Sequence, residues 1–415
     1  MTRVASKTAL ALCRGLSAAL LLLSLSLTLQ QPAVAQTTLP PDLVPTQQLT
    51  PTQAEIYPTP GSPPRLMGFG AAIAVQRDTA MISMPGYMPN AGRVALFKRD
   101  SSGQWRRDGS IDPASTPGVY GPAYAFGLGI TLRDDYAMIL STTANYLYRK
   151  VHDQWTLSDM VSGVCCYEPN GEALEPPFFF ATTKVYRITP QGQLQQTQTL
   201  VGDDPTYADA FGNVVSVSDG TLVISATSDN EQRGALYTFE ERHGVWVKVQ
   251  KIVANNGAPN DQLGTDVVIS GDLMVAAAGP KDYAYENPSC NGQTTNGAVY
   301  IFARIHGAWT QQQEILNSCM SAFQIVALDH NWLTIAYNGS AFGGPSPGAL
   351  IYRRESRPHS SSVKFVPYGT IAQTGNGYES QAVVHGSTVF SDDGGTYTNP
   401  AEVVNLYDLR PTSER

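Results

Sequence analysis

The chain has 415 residues, of which only 15% are charged, and it contains 37 glycines and 28 prolines. This turn-rich composition is typical of an all-β protein and argues against a helical one. The formal net charge of −8 makes nucleic acid and anionic lipid poor partners.

The N-terminus has the three parts of an export signal. Basic residues precede an apolar run at 16–29, and the small-x-small sequence Ala33-Val34-Ala35 follows it. The apolar run is shorter than the roughly 20 residues that a membrane helix needs. We therefore predict that residues 1–35 are a signal peptide, that the protein is exported to the periplasm or the extracellular space, and that it has no membrane span.

Residues 36–52 are rich in Pro, Thr and Gln and lack periodicity, so we predict a flexible lead. After the lead, a motif recurs in which Phe-Gly precedes two short apolar runs separated by a tight turn. The copies begin at Phe69, Phe126, Phe211 and Leu263, with weaker copies at Phe323 and Tyr378, and a degenerate copy is marked by Phe178–Ala181 and Lys184–Arg187.

Each of these seven units reads as strand a, a tight turn, strand b, a variable loop, strand c, a tight turn and strand d. The a-to-b turns carry residues that tight hairpins favour: Arg77-Asp78, Asp134-Asp135, Asp219-Gly220, Gly271-Asp272 and His385-Gly386. Such a meander cannot bury both of its faces alone, so the units must stack around an axis. The pattern predicts an all-β, seven-bladed β-propeller of four-stranded antiparallel blades, with helix almost absent.

The chain ends suggest how the ring closes. The last unit has a strand c at 403–408 but no strand d, and residues 410–415 read as a C-terminal tail. Residues 53–57 (QAEIY) stand where a strand d would precede the first Phe-Gly. We predict that they complete the seventh blade, so that 53–409 form a single domain and no sheet edge stays open.

The Phe-Gly openings, the Gly-Ala-Val-Tyr-Ile-Phe run at 297–302 and the tryptophan that follows strand c resemble the FG-GAP repeats of the integrin α-subunit propeller and of related secreted bacterial proteins. The resemblance covers nearly all of the chain after residue 35 and is strongest in the copies at Phe69, Phe126, Phe211 and Leu263. It implies a seven-bladed fold and an extracellular binding role. The tryptophans themselves recur at a fixed place in the repeat, which indicates packing.

Long connections are expected on one face of the ring, where the d-to-a and b-to-c segments meet; we call this the loop-rich face. Rigid scaffolds commonly place binding sites on such loops. We predict that it binds a protein or carbohydrate ligand, although each aromatic residue could instead pack over its own loop. The candidate ligand-binding residues are Tyr120, Tyr207, Tyr283, Tyr285, Tyr337, Phe342 and Tyr397.

The histidines argue against catalysis, because all six are predicted on the opposite face: His152, His243, His306, His330, His359 and His385. The Gly344–Gly348 segment matches a hydrolase Gly-x-Ser-x-Gly pattern, but Pro347 lacks the backbone N–H that such an elbow uses. We predict no enzymatic activity. The alternatives are a propeller enzyme that cleaves polysaccharide with loop carboxylates and a structural component of the cell envelope.

No cofactor is predicted. Calcium stays open, although the Asp-x-Asp/Asn-x-Asp-Gly loop of the family has no match; the nearest candidate ligands are Asp203, Asp204 and Asp209. We predict a Cys290–Cys319 disulfide, because both residues belong to connections of the fifth unit on one face. Cys165 and Cys166 are adjacent, so they could form a strained bond or remain free thiols.

Overall fold

The computed structural model describes residues 41–56, 68–85, 92–113, 126–142, 144–161, 166–168, 172–175, 182–203, 209–281, 296–317, 324–337, 348–355, 362–372, 381–392 and 403–410. The predicted signal peptide lies outside these residues, as does most of the predicted tail. The described residues form strands almost throughout, with two helical segments of four residues each.

In chain order the elements are β1 (Gln47–Leu49), α1 (Gln53–Ile56), β2 (Ile73–Gln76), β3 (Thr79–Met84), β4 (Arg93–Arg99), β5 (Trp105–Ile111), β6 (Ile130–Arg133), β7 (Tyr136–Leu140), β8 (Asn145–Val151), β9 (Gln154–Val161), β10 (Cys166–Glu168), β11 (Glu172–Glu175), β12 (Thr182–Ile188), β13 (Leu194–Val201), β14 (Phe211–Ser218), β15 (Thr221–Ala226), α2 (Asp229–Gln232), β16 (Ala235–Arg242), β17 (Val245–Ile252), β18 (Asp266–Ser270), β19 (Leu273–Lys281), β20 (Asn296–Ile305), β21 (Ala308–Asn317), β22 (Gln324–Asp329), β23 (Trp332–Tyr337), β24 (Gly348–Arg354), β25 (Phe365–Ala372), β26 (Ala382–His385), β27 (Thr388–Asp392) and β28 (Val404–Asp408).

The strands form seven four-stranded sheets. Sheets 1 to 6 are the consecutive meanders β2–β5, β6–β9, β10–β13, β14–β17, β18–β21 and β22–β25, and sheet 7 has the order β26-β27-β28-β1. Every pairing within them is antiparallel. The first strand of each sheet contacts the first strand of the next, and β26 contacts β2. The predicted all-β propeller fold with four-stranded antiparallel blades is confirmed.

The core lies between neighbouring sheets. Second strands such as β3 and β15 are buried along almost their whole length, because a sheet covers each of their faces. One apolar cluster joins Val223 of sheet 4 to Tyr300 of sheet 5, and another joins Ile82 of sheet 1 to Phe390 of sheet 7. The outer strand β17 is exposed at most of its positions, as expected at the rim.

The Phe-Gly motif is a packing device. The aromatic or leucine residue of the four strong copies is buried, and the glycine after it has a positive φ, 99° at Gly127 and 101° at Gly264. A Cβ on Gly127 would lie 2.8 Å from the Cβ of Ser83, and one on Gly264 would lie 2.5 Å from that of Ser225. Each glycine therefore allows a strand entry to pack tightly against strand b of the preceding sheet.

The N-terminal strand that joins the last sheet differs from the predicted one. β1 (Gln47–Leu49) pairs with β28, with Gln47 opposite Leu406, and it lies within the predicted flexible lead. Residues 53–56, predicted as this strand, instead form α1. The Glu55 carboxylate accepts hydrogen bonds from the Thr52 N–H (2.7 Å) and Oγ (2.9 Å), the local bonding typical of a helix start. Within the described residues, the lead is therefore ordered from residue 41.

A glutamine on the outer strand bonds each of four sheets to the next. Its Oε1 accepts from a backbone N–H and its Nε2 donates to the C=O of the same residue, which lies at the start of the next outer strand. The pairs are Gln47 with Trp105 (3.1 and 2.7 Å), Gln198 with Trp246 (2.9 and 2.8 Å), Gln250 with Trp309 (2.9 and 2.9 Å) and Gln313 with Phe365 (2.7 and 2.9 Å). We call these residues the clamp glutamines.

Gln198, Gln250 and Gln313 each follow directly after a β-bulge in their strand, for example the bulge at Val249 between the residues opposite Thr238 and Phe239. Gln47 instead begins β1, whose pairing with β28 is regular. At the interface of sheets 2 and 3, Asp159 takes the clamp position and accepts from the Leu194 N–H at 2.7 Å. Between sheets 6 and 7, the clamp position holds Gly369. The N-terminal segment packs against the outer strand β25 there, and the Leu43 N–H donates to the Thr370 C=O at 2.8 Å.

The tight turns lie largely as predicted. The a-to-b turns at 77–78, 134–135, 219–220 and 271–272 separate paired strands, and Arg77, Asp134 and Asp219 have the positive φ of primed hairpin turns. His385 is the last residue of β26, so that turn is 386–387. Three histidines occupy c-to-d turns as predicted, His152, His243 and His306, and His359 lies outside the described residues.

Candidate binding surface

The structure leaves most predicted ligand-binding residues untested. Tyr337 ends β23, but its side chain is not among the described ones. The remaining candidates lie outside the described residues: Tyr120, Tyr207, Tyr283, Tyr285, Phe342 and Tyr397. The longest described connections of the loop-rich face lie around sheet 4 and comprise residues 202–203, 209–210, 227–234 and 253–265.

A buried carboxylate organises this region. Asp229, 3% exposed, begins α2 in the connection between β15 and β16. Its Oδ2 accepts hydrogen bonds from the Tyr237 hydroxyl at 2.8 Å and from the Lys251 Nζ at 2.7 Å. Burial alone would lower the pKa of Lys251, but its bonds to Asp229 and Tyr237 outweigh this and raise the pKa above its usual value. Lys251 therefore stays charged and holds the α2 segment on the outer strand.

Tyr237 links this carboxylate to the preceding connection. Burial raises the pKa of its hydroxyl, so the phenol stays neutral and donates to Asp229. The same hydroxyl accepts a long bond, 3.4 Å, from the Asp203 N–H. The Nζ atoms of Lys251 and Lys248 lie 5.2 and 5.7 Å from the centre of the Tyr237 ring, within cation–π range. Lys248 also forms an ion pair with Asp203.

The segment after Asp229 turns in the left-handed sense. Asn230, Glu231 and Gln232 have φ values of 50°, 59° and 61°. Non-glycine residues in this region cost about 1–3 kcal/mol each, and such strain concentrates at functional sites. The turn ends at Gly234, where a Cβ would lie 2.2 Å from the Leu263 backbone nitrogen, so that only glycine fits.

Hydrogen bonds from the connection between sheets 4 and 5 hold the strained turn in place. The Gln262 N–H donates to the Gln232 C=O at 2.8 Å, and the Leu263 N–H donates to the Arg233 C=O at 3.0 Å. The Arg233 guanidinium in turn donates to the Gly257 C=O at 2.7 Å. The two connections are therefore fixed to each other through their backbones.

Together these connections present a row of exposed amide side chains, which we call the amide ridge: Asn230, Gln232, Asn255, Asn256 and Asn260. Each amide offers both donors and an acceptor. Asn256 is oriented by bonds to the Glu314 carboxylate at 3.0 Å, and the Asn255 N–H bonds to the Gln311 Oε1 at 2.9 Å. Backbone hydrogen bonds fix the two connections to each other, and side-chain bonds orient Asn256 and Gln232. This arrangement suits recognition of a polar ligand.

The sequence prediction emphasised tyrosines and missed the ridge. The signal was present in DNEQRG at 229–234 and ANNGAPND at 254–261, whose asparagines tolerate left-handed conformations. Long connections on this face were predicted, but the pairing of the backbone of residues 260–263 with residues 231–233 depends on the tertiary structure.

The metal and disulfide predictions remain predictions. Asp203 pairs with Lys248, and the backbone C=O of Asp209 accepts from the Ser228 N–H at 3.1 Å; Asp204 lies outside the described residues. In the described ranges, no group of three or more His, Cys, Asp or Glu residues is arranged to hold a metal ion. Cys165, Cys290 and Cys319 lie outside the described residues, and the Cys166 side chain is not described.

No helix in the part of the chain that the structure describes is both long and apolar enough to cross a membrane.

Comparison with protein-family models identifies FG-GAP repeats at residues 194–239 and 246–302. These two matches cover sheet 4 except residues 240–245, together with parts of sheets 3 and 5, and so include the connections that carry the amide ridge. No curated protein matches the sequence.

Solved structures with the same fold are distant in sequence. A candidate 6-phosphogluconolactonase from Bacteroides uniformis has a TM-score of 0.52 and 10% identity, with 73% of this chain and 85% of that chain covered. A protein from Lactobacillus plantarum has a TM-score of 0.50 and 11% identity, with the same two shares covered. At these identities the likeness concerns the propeller fold alone.

Proposed function

We propose that this chain, which belongs to the FG-GAP repeat β-propellers, is an exported, non-catalytic binding protein that recognises a protein or glycan through its loop-rich face. The observation that carries the proposal is the amide ridge. Its exposed side chains stand on two connections locked by backbone bonds between residues 231–233 and 260–263. Preorganised polar groups lose little conformational entropy when they bind a ligand.

The polar character of the ridge favours a ligand rich in hydroxyl or amide groups. Side-chain amides bind sugar hydroxyls and peptide groups equally well, because they donate and accept at once. The acidic net charge of the chain disfavours anionic ligands such as nucleic acid.

The state of two acids in the loop-rich connections around sheet 4 supports a non-catalytic role. Asp229 is buried and paired with Lys251 and Tyr237, and Asp203 is paired with Lys248. Carboxylates held in this way act as structural ion pairs. A pair of glycosidase carboxylates would need one group kept protonated and the other free to face the sugar.

We also propose that the seven sheets are the blades of one closed ring. The supporting contacts are those of β26 with β2 and the bond of the Gln47 side chain to Trp105, which repeats across the junction of sheets 7 and 1 the clamp found inside the chain. A closed ring leaves no strand edge of β28 exposed.

Export is proposed on two grounds. Residues 1–35 have the arrangement of a signal peptide. FG-GAP repeats, which the chain contains, are typical of extracellular proteins.

A ligand screen with a ridge variant tests the proposed function. Wild-type protein is screened against glycans and cell-surface proteins, and hits are titrated against the double variant Asn230→Asp/Asn260→Asp. Aspartate tolerates the positive φ of both positions, 50° and 70°, but it loses the amide donors. We expect binding to weaken about tenfold or more, since two hydrogen bonds are lost.

The matched control is Asn331→Asp, an exposed asparagine in an a-to-b turn on the opposite face. It makes the same type of substitution, adding one negative charge for each asparagine replaced, and should leave binding unaltered. Equal affinity of the ridge variant and the wild type, with unchanged circular dichroism, would contradict the proposed surface. Turnover of a polysaccharide by the wild-type protein would contradict the non-catalytic role.

A further inference from the structure

The interface between sheets 1 and 2 lacks its clamp. In five of the seven outer strands, the residue four positions after the strand's tryptophan, or after the residue that takes its place, is a glutamine or aspartate that reaches the next sheet, or a glycine where the chain packs directly: Asp159, Gln198, Gln250, Gln313 and Gly369. The corresponding residue of β5 is Gly109, four positions after Trp105. It has no side chain, and its φ of 126° favours glycine.

The backbone groups that a clamp would bind are present on β9. Trp155 is opposite Lys150, one pair in from the turn, as Trp309 is opposite Arg304 in sheet 5. At this position of an antiparallel hairpin, the N–H and C=O point away from the paired strand. Those of Trp309 reach Gln250, whereas those of Trp155 have no hydrogen-bond partner on β5.

A pocket of ≈ 380 Å³ opens at this place, between the outer strands of sheets 1 and 2. Leu96, Ile111 and Leu157 contribute apolar lining, and Asp108 and Asp153 contribute acidic groups. Trp155 also lines it and is only half-buried, whereas Trp105, Trp246 and Trp309 are 5%, 2% and 5% exposed. The missing side chain at Gly109 therefore leaves both a space and an unused donor and acceptor.

The interface between sheets 6 and 7 shows how such a space is filled. A Cβ on Gly369 would lie 2.9 Å from the Leu43 Cγ, so the glycine there admits a side chain from another segment. At Gly109, nothing lies within 4 Å of the same added atom. A glycine at the clamp position thus accompanies an inserted group at one interface and an open pocket at the other.

We propose that the pocket beside Gly109 is a binding site for the side-chain carboxamide of a glutamine presented by a protein partner. The carboxamide takes the place of the missing clamp, with its oxygen accepting from the Trp155 N–H and its nitrogen donating to the Trp155 C=O. The four clamp glutamines are the internal precedent for this geometry. A glutamate carboxylate in the same place could accept from the Trp155 N–H but has no N–H to donate to the Trp155 C=O. This site is separate from the amide ridge, which lies on sheets 4 and 5.

The experiment titrates protein labelled with ¹⁵N-tryptophan, which gives five backbone signals, with three peptides. The probe is acetyl-Thr-Gln-Thr N,N-dimethylamide, whose blocked C-terminus leaves the glutamine side chain as its one primary carboxamide, and its analogues carry Glu or Leu in the centre. The Trp155 amide signal should shift with the glutamine peptide, and the two analogues should bind about tenfold more weakly. Equal responses to the three peptides, or no response of Trp155 to the glutamine peptide, would overturn the proposal.

Two variants sharpen the test. Gly109→Gln supplies the clamp from within the chain and should abolish the Trp155 response; a response of wild-type strength in the folded variant would contradict the site. Because the backbone at this position favours glycine, Gln250→Gly provides a second route. It opens an equivalent space beside Trp309, whose amide should then respond to the glutamine peptide, and its failure to respond would count against the proposal.

Discussion

Replacement of the clamp glutamine Gln198 by leucine should loosen one interface between sheets without removing a strand. The Gln198 Oε1 accepts a hydrogen bond from the Trp246 N–H at 2.9 Å, and the Gln198 Nε2 donates one to the Trp246 C=O at 2.8 Å. A leucine of similar size keeps the contact area but leaves both backbone groups unpaired. A net hydrogen bond contributes about 1 kcal/mol, and partial access of water reduces the cost, so we expect a loss of about 1–2 kcal/mol in the free energy of unfolding.

The assay is urea unfolding together with amide hydrogen exchange. The Trp246 N–H, which Gln198 binds in the wild type, should exchange about tenfold faster in the variant. Gln195→Leu is the matched control, because Gln195 is exposed on the same strand and makes no side-chain hydrogen bond to a described residue. If the two variants unfold at the same urea concentration and Trp246 exchanges at the wild-type rate, the clamp contributes nothing and the reasoning fails.

Three further substitutions test other parts of the fold. Gly264→Ala should lower the free energy of unfolding by about 2 kcal/mol or more in urea titrations, because the φ of Gly264 is 101° and the added Cβ meets Ser225. The control Gly307→Ala has nothing within 4 Å of the added Cβ and should lose only about 1 kcal/mol, the backbone cost of a positive φ. Equal losses in the two variants would refute the packing role of Gly264. Burial raises the pKa of Asp266 to about 6 from 3.8, so the protonated carboxyl stabilises the fold below pH 4 and this contribution is lost as the pH rises to about 6. Asp266→Asn should therefore gain stability relative to the wild type across that window by about 1–3 kcal/mol, and a pH-independent difference would contradict the burial of this carboxyl. Leu49→Asp places a charge where the side chain is 3% exposed and should detach β1 from β28. The freed edge of β28 should then pair with other molecules, and light scattering would detect this association. A monomeric variant of wild-type stability would argue against closure by β1.

The repeat could be predicted from the sequence because its signals are local. The Phe-Gly openings and turns such as Asp219-Gly220 specify a hairpin within a few residues, and sheets 1, 2, 4 and 5 follow from them. The positive φ of Gly127 and Gly264 explains why those copies keep the glycine.

The N-terminal strand of sheet 7 could not be located in this way. Gln47–Leu49 has no alternating pattern, and its partner on β28 lies at the far end of the chain. The QAEIY segment looked more strand-like, but its Glu55 carboxylate is satisfied locally by Thr52 and by the Arg107 guanidinium at 2.5 Å, which favours a helical turn. Long-range pairing decided the outcome, as is common for β-structure.

The candidate site was predicted in outline only. The loop-rich face followed from the lengths of the connections, but the amide ridge depends on the left-handed turn at 230–232, which backbone bonds from residues 260–263 impose. The clamp glutamines were equally hidden, since Gln198 and Gln250 read as polar residues on an exposed strand face. Gln250 and Gln313 stand four residues after Trp246 and Trp309, and Gln198 stands four residues after Leu194, which takes the tryptophan's place. This spacing identifies the position once the structure shows what it binds.

The most direct test of binding through the loop-rich face is a hydrogen-exchange footprint of the protein with a ligand found by the screen. We expect amides in 227–234 and 253–265 to exchange more slowly in the complex, and amides in the turns at 243–244 and 306–307 to be unchanged. Protection confined to those turns, on the opposite face of the ring, would contradict the account.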